Sequence, residues 1–406
     1  MKKYALPLVL SLSGPAWGQP SSGTLSWAEV AAAVEAANPE LAMARAKAQA
    51  VGARVAQAWT PDAPTVEFER MLGPVQRSPL DGDERSWVVR QQFAAPPVLY
   101  WRKQTASRAA RAEEQRVLAK RNELSARARQ TFALLRLSWV EREVLDEGIT
   151  ILRRAARVAE AKVAGGKASQ TDALKAQTEL SRMLGLREAV ERSVTATEAE
   201  LSALMGRRPG PLARPAPAQT QPPPALAALE GAAAGRPELR AAVLDGDRAA
   251  ATAAAARAEW LPMLMAGYRR RSAPMTGRTH DALLGLSVPL WYWRPAAMVK
   301  EADAERRMAV SEAEAVRLDT AAMVRASHER LLAALRLAEV YRTAVLPQAE
   351  AALATAEKAY ASDRGGFLDF LDAQRTLIDL TLERERALAD AEARRAELAR
   401  AVGKEL

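Results

Sequence analysis

The segment DALKAQ at residues 172–177 is repeated as DFLDAQ at residues 369–374, about two hundred positions further along the 406-residue chain. A glycine pair precedes each copy, at residues 165–166 and 365–366. A solenoid unit has only about 20–50 residues, so this period is too long for one. The sequence therefore predicts a duplicated chain, in which both halves contain the same elements in the same order.

Hydrophobic periodicity gives the order of elements in each half. Apolar residues at helical spacing alternate with two short segments of strict period two, which is typical of strands. The first half is predicted to contain helix 26–58 with a break at Asn38-Pro39, strands 65–71 and 86–93 around a loop at 73–83, and helices 102–164 and 171–205. The second half is predicted to contain helix 237–259, strands 263–270 and 283–290, helix 296–361 interrupted at Pro347, and helix 368–401.

These elements define the predicted domain organisation. Residues 1–18 form a secretory signal, with Lys2-Lys3 before a short apolar run and small residues before the expected cleavage site. The first repeat covers 19–208 with its hairpin at about 65–93, a proline-rich linker covers 209–224, and the second repeat covers 225–406 with its hairpin at about 263–290. An exported protein is expected, and without cysteine it has no N-terminal lipid on a cysteine thioether.

Composition and motifs argue against several functions. The net charge is +9, yet arginines alternate with glutamates along the helices and no basic cluster contains interleaved aromatics, so nucleic-acid binding is not expected. The two histidines are His280, in a predicted loop, and His328, in a predicted helix. Neither has a second ligand at a recognisable spacing, so no metal, no cofactor and no catalytic residue is predicted.

The predicted strands alternate apolar and charged residues. Val66 and Phe68 lie on one face of the first strand, and Glu67 and Glu69 lie on the other. Such alternation separates lipid from lumen in an outer-membrane barrel, although a soluble hairpin packed on helices has the same pattern. In the second strand, the face with Val88, Arg90 and Gln92 is opposite the face with Trp87, Val89 and Phe93.

Aromatic residues stand where each hairpin returns to its long helix. They are Tyr100, Trp101, Trp291, Tyr292 and Trp293. This is the position of an interfacial aromatic belt on the periplasmic side, or of ordinary packing aromatics at a strand–helix junction. Four strands cannot close a barrel, and an open edge in lipid leaves backbone groups unsatisfied. If the strands span a membrane, three chains would supply twelve strands in a cyclic trimer.

Two acids of the repeated motif are the strongest candidate site residues. Asp369 and Asp372 are three positions apart, so they share one helix face just after a turn. Copied threefold in a narrow passage, they would form stacked acidic rings that favour cations. The alternative for Asp369 is that its carboxylate caps the start of a helix.

The signal, the two hairpins, the helical halves and residues 360–377, with Tyr360 before the LDFLDAQRTL segment, resemble the outer-membrane efflux protein (TolC-like) family. The resemblance covers essentially the whole mature chain. It implies a mainly α fold in which a trimeric twelve-stranded barrel continues into a periplasmic α-helical barrel. It also implies an exit duct in the outer membrane of a Gram-negative bacterium, serving a tripartite efflux pump or type I secretion with an inner-membrane transporter and a periplasmic adaptor.

The resemblance assigns roles to the candidate residues. Asp369 and Asp372 match the acids that line the family's periplasmic constriction, and Asp172 and Tyr360 match members of a network that holds the entrance closed. Arg364 is displaced from the family's arginine position, and Lys175 replaces the second acid in the first repeat. The turns would contact the adaptor, although turn geometry alone also favours glycine; their residues are Gly165, Gly166, Lys167, Gly365 and Gly366.

One alternative function stays open at this point. A periplasmic coiled-coil adaptor or scaffold would have the same long helices without forming a channel. The hairpins separate the two hypotheses, because a channel needs them in lipid and a soluble scaffold does not. The sequence carries no signal for the exported substrate.

Overall fold

A computed structural model describes residues 23–71, 84–166, 169–218, 221–273, 277–288, 290–362 and 364–405. The predicted signal at 1–18 and the whole predicted loop at 73–83 lie outside these residues, as do Lys167 and Asp363. The described chain is mainly helical, and its strands form one sheet. The order of helix, hairpin, long helix and helix occurs twice, as predicted.

The described residues form nine α-helices and four strands. The first repeat contains α1 Trp27–Ala37, α2 Pro39–Trp59, β1 Thr65–Met71, β2 Glu84–Phe93, α3 Pro96–Ala164 and α4 Gln170–Leu204. The second contains α5 Leu226–Ala233, α6 Pro237–Ala258, β3 Met263–Ala273, β4 Gly277–Ser287, α7 Trp293–Val340, α8 Leu346–Ala361 and α9 Phe367–Val402. A π-helical turn, Tyr341–Val345, joins α7 to α8.

Prolines mark the helix starts. The predicted break at Asn38-Pro39 is confirmed: the Asn38 side chain accepts hydrogen bonds from the backbone N–H groups of Glu40 and Leu41, at 2.8 and 3.2 Å, and caps α2. The predicted start of the first long helix at residue 102 is wrong, since α3 begins at Pro96. Proline has no N–H, and the first turn of a helix needs none, so this proline starts the helix instead of delaying it.

The second long helix is interrupted before its proline. The interruption was predicted at Pro347, and the ladder widens to a π-turn at Tyr341–Val345. Pro347 cannot donate to the carbonyl four residues earlier, and its ring clashes with that carbonyl. Widening the preceding turn removes the clash while the helix continues, so the disturbance lies on the N-terminal side of the proline.

The second hairpin differs most from its prediction. β3 extends to Ala273, and β4 runs from Gly277 to Ser287, where 283–290 was predicted. His280 therefore lies in a strand, and its assignment to a loop is wrong. The glycine and histidine near the turn hid the strand, because tight hairpins place such residues inside the paired region.

The proline-rich stretch at residues 209–224 pairs with the start of the described chain. The backbone N–H of Leu25 donates to Arg214 O at 2.7 Å, and Ala216 N–H donates to Leu25 O at 2.9 Å, which gives an isolated parallel bridge.

The short helix α5 was not predicted, because its eight residues carry no side-chain cap. Burial of Leu229 against α7 and α9 accounts for the helix, since tertiary packing can stabilise a segment that is too short to persist alone.

The chain divides into two units. The first consists of the described parts of Met1–Ala33, Ala128–Gln219 and Ala338–Ala389. Two buried clusters hold it together. One joins α3, α4 and α9 through Leu145, Ile149, Leu152, Met183, Ile378 and Leu382. The other, next to the turns, contains Ala155, Ala156, Ala159, Ala176, Phe367 and Phe370.

The second unit consists of the described parts of Val34–Arg127, Thr220–Leu337 and Asp390–Leu406, and it contains the sheet. Its main buried cluster joins α5, α7 and α9 through Leu229, Ala233, Val324, Leu331, Ala334, Ala391, Leu398, Ala401 and Val402. Alanine is frequent in both units, which allows helices to approach closely.

Candidate functional site

The sheet has two faces of opposite character. Its strands run in the order β1-β2-β3-β4, all antiparallel, so the hairpins pair with each other through β2 and β3. Phe68 is paired with Trp87, and their ring centroids are 4.8 Å apart, which fixes the face that these side chains share. Val89 is paired with Tyr268 on the same face.

The apolar face is exposed. It is defined by Val66, Phe68, Trp87, Val89, Phe93, Leu264, Tyr268, Leu284 and Leu286. These side chains are 40% exposed or more, and Leu284 reaches 85%. A surface of this size and composition in water marks an interaction with a membrane or a partner. The predicted alternation in β1 and β2 is therefore confirmed, and β3 and β4 extend the face.

The charged face carries the acids of the sheet. It is defined by Glu67, Glu69, Ser86, Val88, Arg90, Arg269, Arg271 and Asp281. Arg90 Nη1 is 2.5 Å from Glu67 Oε2, and the Ser86 hydroxyl donates to Glu69 Oε2 at 3.0 Å. Cross-strand pairing of this kind stabilises a sheet whose side chains meet water.

The predicted belt aromatics lie at the end of the sheet nearest the helices. Tyr100 and Trp101 are in the first turns of α3, with ring centroids 5.0 Å apart. The rings of Trp291 and Trp293 stack at 6.0 Å, and Tyr292 contacts Trp293 edge-on at 5.4 Å. All except Trp101 are largely exposed, so they project from the protein surface and are not packed in a core.

Tyr360 lies in an aromatic cluster at the turn between α8 and α9. Its ring centroid is 5.4 Å from that of Phe367 and 6.1 Å from that of Phe370. Both phenylalanines are buried, in a cluster that includes Ala176 of α4. The structure thus brings the predicted tyrosine together with the start of α9, and Asp172 lies one helical turn before Ala176.

Lys162 is a contact of Tyr360 that the sequence did not indicate. Its ammonium group lies 4.0 Å from the centre of the Tyr360 ring and donates to the Tyr360 carbonyl at 2.9 Å. Lys162 belongs to the last turn of α3, so this contact joins α3 to the end of α8. Its only sequence signal is a basic residue in the last turn of a helix, which is too common to single it out.

Two of the three predicted acids begin their helices in the same way. Asp172 and Asp369 are in the first turns of α4 and α9, where a carboxylate interacts favourably with the helix dipole. Asp369 Oδ2 also accepts a hydrogen bond from the Gly366 N–H at 3.3 Å, so the capping role considered for it is confirmed. Asp372 is exposed one turn further along. Among the described residues, neither Asp172 nor Asp372 has a side-chain hydrogen bond or ion pair.

The tip glycines have different structural reasons. Gly166 has φ +70°, which side chains rarely adopt. Gly365 has an ordinary φ, but a Cβ there would lie 2.8 Å from Ala359 Cβ. Gly165 and Gly366 do not have a positive φ, and an added Cβ would be less crowded there than at Gly365. Arg364 is exposed in the turn between α8 and α9. Lys167, the remaining predicted tip residue, is outside the described residues.

Beyond the acids, α3, α4 and α9 pack very closely. A Cβ on Gly148 would lie 2.6 Å from Met183 Cε and 2.8 Å from Ile378 Cδ1. On α4, Arg182 is held by Glu179 at 2.5 Å. The hydrogen bonds that Arg182 donates to the Glu179 carboxylate, together with the charges of Glu179 and of Asp379 on α9, raise the pKa of Arg182 despite its partial burial. The Arg182 guanidinium therefore places a fixed positive charge on α4, further from the turn than Asp172.

The histidines and the helices add two observations. The His280 imidazole contacts the Tyr268 hydroxyl, and His328 is buried beside Glu329. No group of three metal-binding side chains occurs among the described residues. Separately, none of the described helices has an apolar stretch of the length required to cross a membrane.

Long paired helices and a four-stranded sheet with one exposed apolar face define a class of proteins built as a repeated helix–hairpin–helix unit. Residues 228–404 match the family of outer membrane efflux proteins. The resemblance to this family that the sequence indicates is thereby confirmed. No curated protein matches the sequence.

Solved structures of outer-membrane proteins have the same fold. CusC, described for its transmembrane channel formation, has a TM-score of 0.84 at 16% identity over 93% of this chain and 92% of its own. The outer membrane protein VceC of Vibrio cholerae has a TM-score of 0.78 at 15% identity over 93% and 96%. The outer membrane channel MtrE of Neisseria gonorrhoeae has 0.77 at 16% over 93% and 89%. The matched family is named for efflux, and CusC and MtrE are described in terms of membrane channels.

Proposed function

We propose that the chain is an outer-membrane efflux channel, the exit duct of a tripartite efflux pump or of type I secretion. The family match and the shared fold support an outer-membrane channel. The helices would extend into the periplasm of a Gram-negative bacterium, and the protein would be a passive conduit without catalytic residues. An inner-membrane transporter and a periplasmic adaptor would complete the machine.

The exposed apolar face of the sheet is the observation that carries this proposal. A soluble scaffold would bury such a face against its own helices, yet Leu284 is 85% exposed and its neighbours are similar. In a bilayer the same face contacts lipid, and the charged face lines water. Strands of 10 or 11 residues in β2, β3 and β4 match the length of a tilted membrane strand.

The sheet edges support a trimer. Within the described chain, β1 and β4 each pair on one side only. Unpaired backbone groups are costly in lipid, so each edge would pair with the edge of another chain. Three chains would close twelve strands around one axis, with the apolar face outside and Glu67, Arg90 and Asp281 inside.

The gate would lie at the turns of the first unit. Asp369 and Asp372, repeated in three chains, would form acidic rings that favour cations. Asp172 and Tyr360 would help to hold the entrance closed. Arg364 is exposed in the turn between α8 and α9. The tips with Gly165, Gly166, Lys167, Gly365 and Gly366 would contact the adaptor.

A pair of substitutions tests the membrane assignment. Leu284→Arg places a charge on the apolar face, and an arginine at the bilayer centre costs about 2–4 kcal/mol. Leu283→Arg is the matched control, since Leu283 is the adjacent residue on the opposite face. The channel hypothesis expects that Leu284→Arg abolishes heat-resistant trimers in the outer membrane fraction and that Leu283→Arg preserves them.

A soluble adaptor or scaffold would give the opposite result. Leu284→Arg would then improve solubility, because it removes an exposed leucine from water, and the wild type would be extracted without detergent. Conductance of the purified wild type in planar bilayers completes the test.

The gate is tested by the double substitution Asp172→Ala with Tyr360→Phe, which should raise that conductance. Unchanged conductance would show that these two residues do not hold the channel closed.

A further inference from the structure

The arginines of the apolar face are confined to one end of it. In register, Trp87, Arg270 and His280 lie side by side across β2, β3 and β4. The next row toward the hairpin turns contains Arg70, Arg85, Ser272 and Arg278. From Phe93 to Val89 the same face has no charged residue. The apolar band therefore ends, at the hairpin turns, in a basic rim defined by Arg70, Arg85, Arg270 and Arg278.

Among the described residues, the face that carries the basic rim has no acid. The acids of the described strands, Glu67, Glu69, Glu84 and Asp281, all lie on the charged face. Arg271, on that face, is paired with Glu84 at 3.0 Å. By contrast, Arg85, Arg270 and Arg278 are exposed and form no ion pair with any described residue. Within the described part of the chain, no acid neutralises their charges.

We propose that the basic rim binds the phosphate groups of lipids in the outer leaflet. This inference rests on the proposed function, which places the apolar face in lipid and the hairpin turns at the outer surface. An arginine at the edge of the apolar band lies at head-group level, where anionic lipids attract basic side chains. Guanidinium groups also fit phosphate oxygens in bidentate geometry, which lysine cannot do.

The position of the rim argues for a lipid and not for a soluble anion or a protein. Arg70, Arg85 and Arg278 lie one row beyond Phe68 and Trp87, and Arg270 lies in the same row as Trp87. The apolar surface of Phe68, Trp87 and Val89 would contact acyl chains. A single ligand that carries phosphates above acyl chains matches both parts of this surface. His280, stacked with Tyr268 at a ring-centroid distance of 5.9 Å, lies at the boundary between the two parts.

The test compares lipid retained by purified trimers. Full-length protein is reconstituted in phosphatidylcholine nanodiscs doped with lipid A, which carries two phosphates, or with dephosphorylated lipid A. Retained lipid is quantified by mass spectrometry after detergent extraction. The wild type should retain the phosphorylated lipid at least about tenfold better, and Arg85→Gln, Arg270→Gln and Arg278→Gln together should remove that preference.

Two controls make the result specific. Arg306→Gln, Arg307→Gln and Arg330→Gln remove the same charge from exposed positions of α7 and should leave retention unchanged. Replacement of the three rim arginines by lysine keeps the charge but removes the bidentate contacts, so it should keep only part of the preference. If the glutamine variant fails to assemble, the comparison of the two lipids on the wild type, and its loss at high salt, still decides the question.

The outcomes separate this inference from the proposed function. A wild type that inserts and conducts, but retains both lipids equally, overturns the lipid site and leaves the channel intact. A second outcome would also overturn the lipid site. If millimolar glucosamine phosphate displaces bound lipid A as effectively as added lipid A does, the acyl chains contribute nothing to binding. A wild type that neither inserts nor conducts overturns the proposed function itself.

Discussion

The two helical turns of the first unit are copies of one another, yet they are stabilised in different ways. The turn between α3 and α4 ends with Gly166 at positive φ, and Ser169 caps the next helix by accepting a hydrogen bond from Thr171 N–H at 3.2 Å. The turn between α8 and α9 has a side-chain cap from Asp369 and a buried aromatic cluster. Among the described residues, the second turn is therefore the more strongly fixed, although both turns precede a copy of the same sequence motif.

The difference places the candidate gate residues in context. Phe367 and Phe370 of the second turn correspond to Gln170 and Ala173 of the first. The aromatic rings hold α9 against α3 and α8, whereas α4 contributes only the small Ala176 to the same cluster. If one helix pair moves when the entrance opens, the first turn has fewer contacts to break. The following substitutions test this comparison, from the largest expected effect to the smallest.

Phe367→Ala should have the largest effect. The side chain is only 3% exposed, and truncating a buried phenylalanine costs about 3–5 kcal/mol. The second turn would then open, and trypsin would cleave at the exposed Arg364 at a much higher rate. Gln170→Ala, at the corresponding position of the first turn, is the matched control and should leave that rate unchanged. Equal rates in the two variants would show that the aromatic cluster does not fix the turn.

Gly365→Ala should have the second largest effect. A Cβ at this position meets Ala359 Cβ at 2.8 Å and Ala359 C at 3.3 Å, which are not flexible side-chain ends. Overpacking of this kind costs about 1–3 kcal/mol. At Gly165 the nearest atoms are carbonyl oxygens at 3.5 and 3.7 Å, so Gly165→Ala should be tolerated. Thermal stability of the trimer in detergent, measured for both variants, checks the prediction.

The order of elements could be predicted from the sequence because it depends on local patterns. Alternation fixed β1, and the Asn38 cap fixed the start of α2. Contacts between distant segments could not be predicted in the same way. Lys162 and Tyr360 are 198 positions apart, and nothing in either neighbourhood indicates their contact. The full length of β4 was likewise hidden, because its first residues, 277–281, are mostly polar and form a strand by pairing with β3.

Lys162→Met should have an intermediate effect on the entrance. The substitution keeps most of the side-chain length but removes the ammonium group above the Tyr360 ring, an interaction of about 0.5–2 kcal/mol. If this contact helps to hold the closed state, single-channel conductance or open probability should rise. Lys175→Met removes an exposed lysine of α4 at the same end and serves as the control. A rise in both variants would indicate a general loss of positive charge near the entrance.

Asp369→Ala and Asp372→Ala should separate capping from permeation, with the smallest change in stability. Asp369 accepts the Gly366 N–H, so its removal should cost about 0.5–1 kcal/mol in the second turn. Asp372 has no such bond among the described residues, so its removal should leave stability unchanged. Both variants should reduce cation selectivity in planar bilayers, since each removes one acidic ring.

Lys175→Asp completes this comparison, because it restores in the first turn the acid that the second turn carries. Three added carboxylates should increase cation selectivity if α4 faces the same passage as α9. An unchanged reversal potential would mean that the α4 position lies outside the passage, and the two copies of the motif would then differ in position as well as in sequence. Lys175, which stands in the first copy of the motif where the second has Asp372, thus reports whether α4 lines the entrance together with α9.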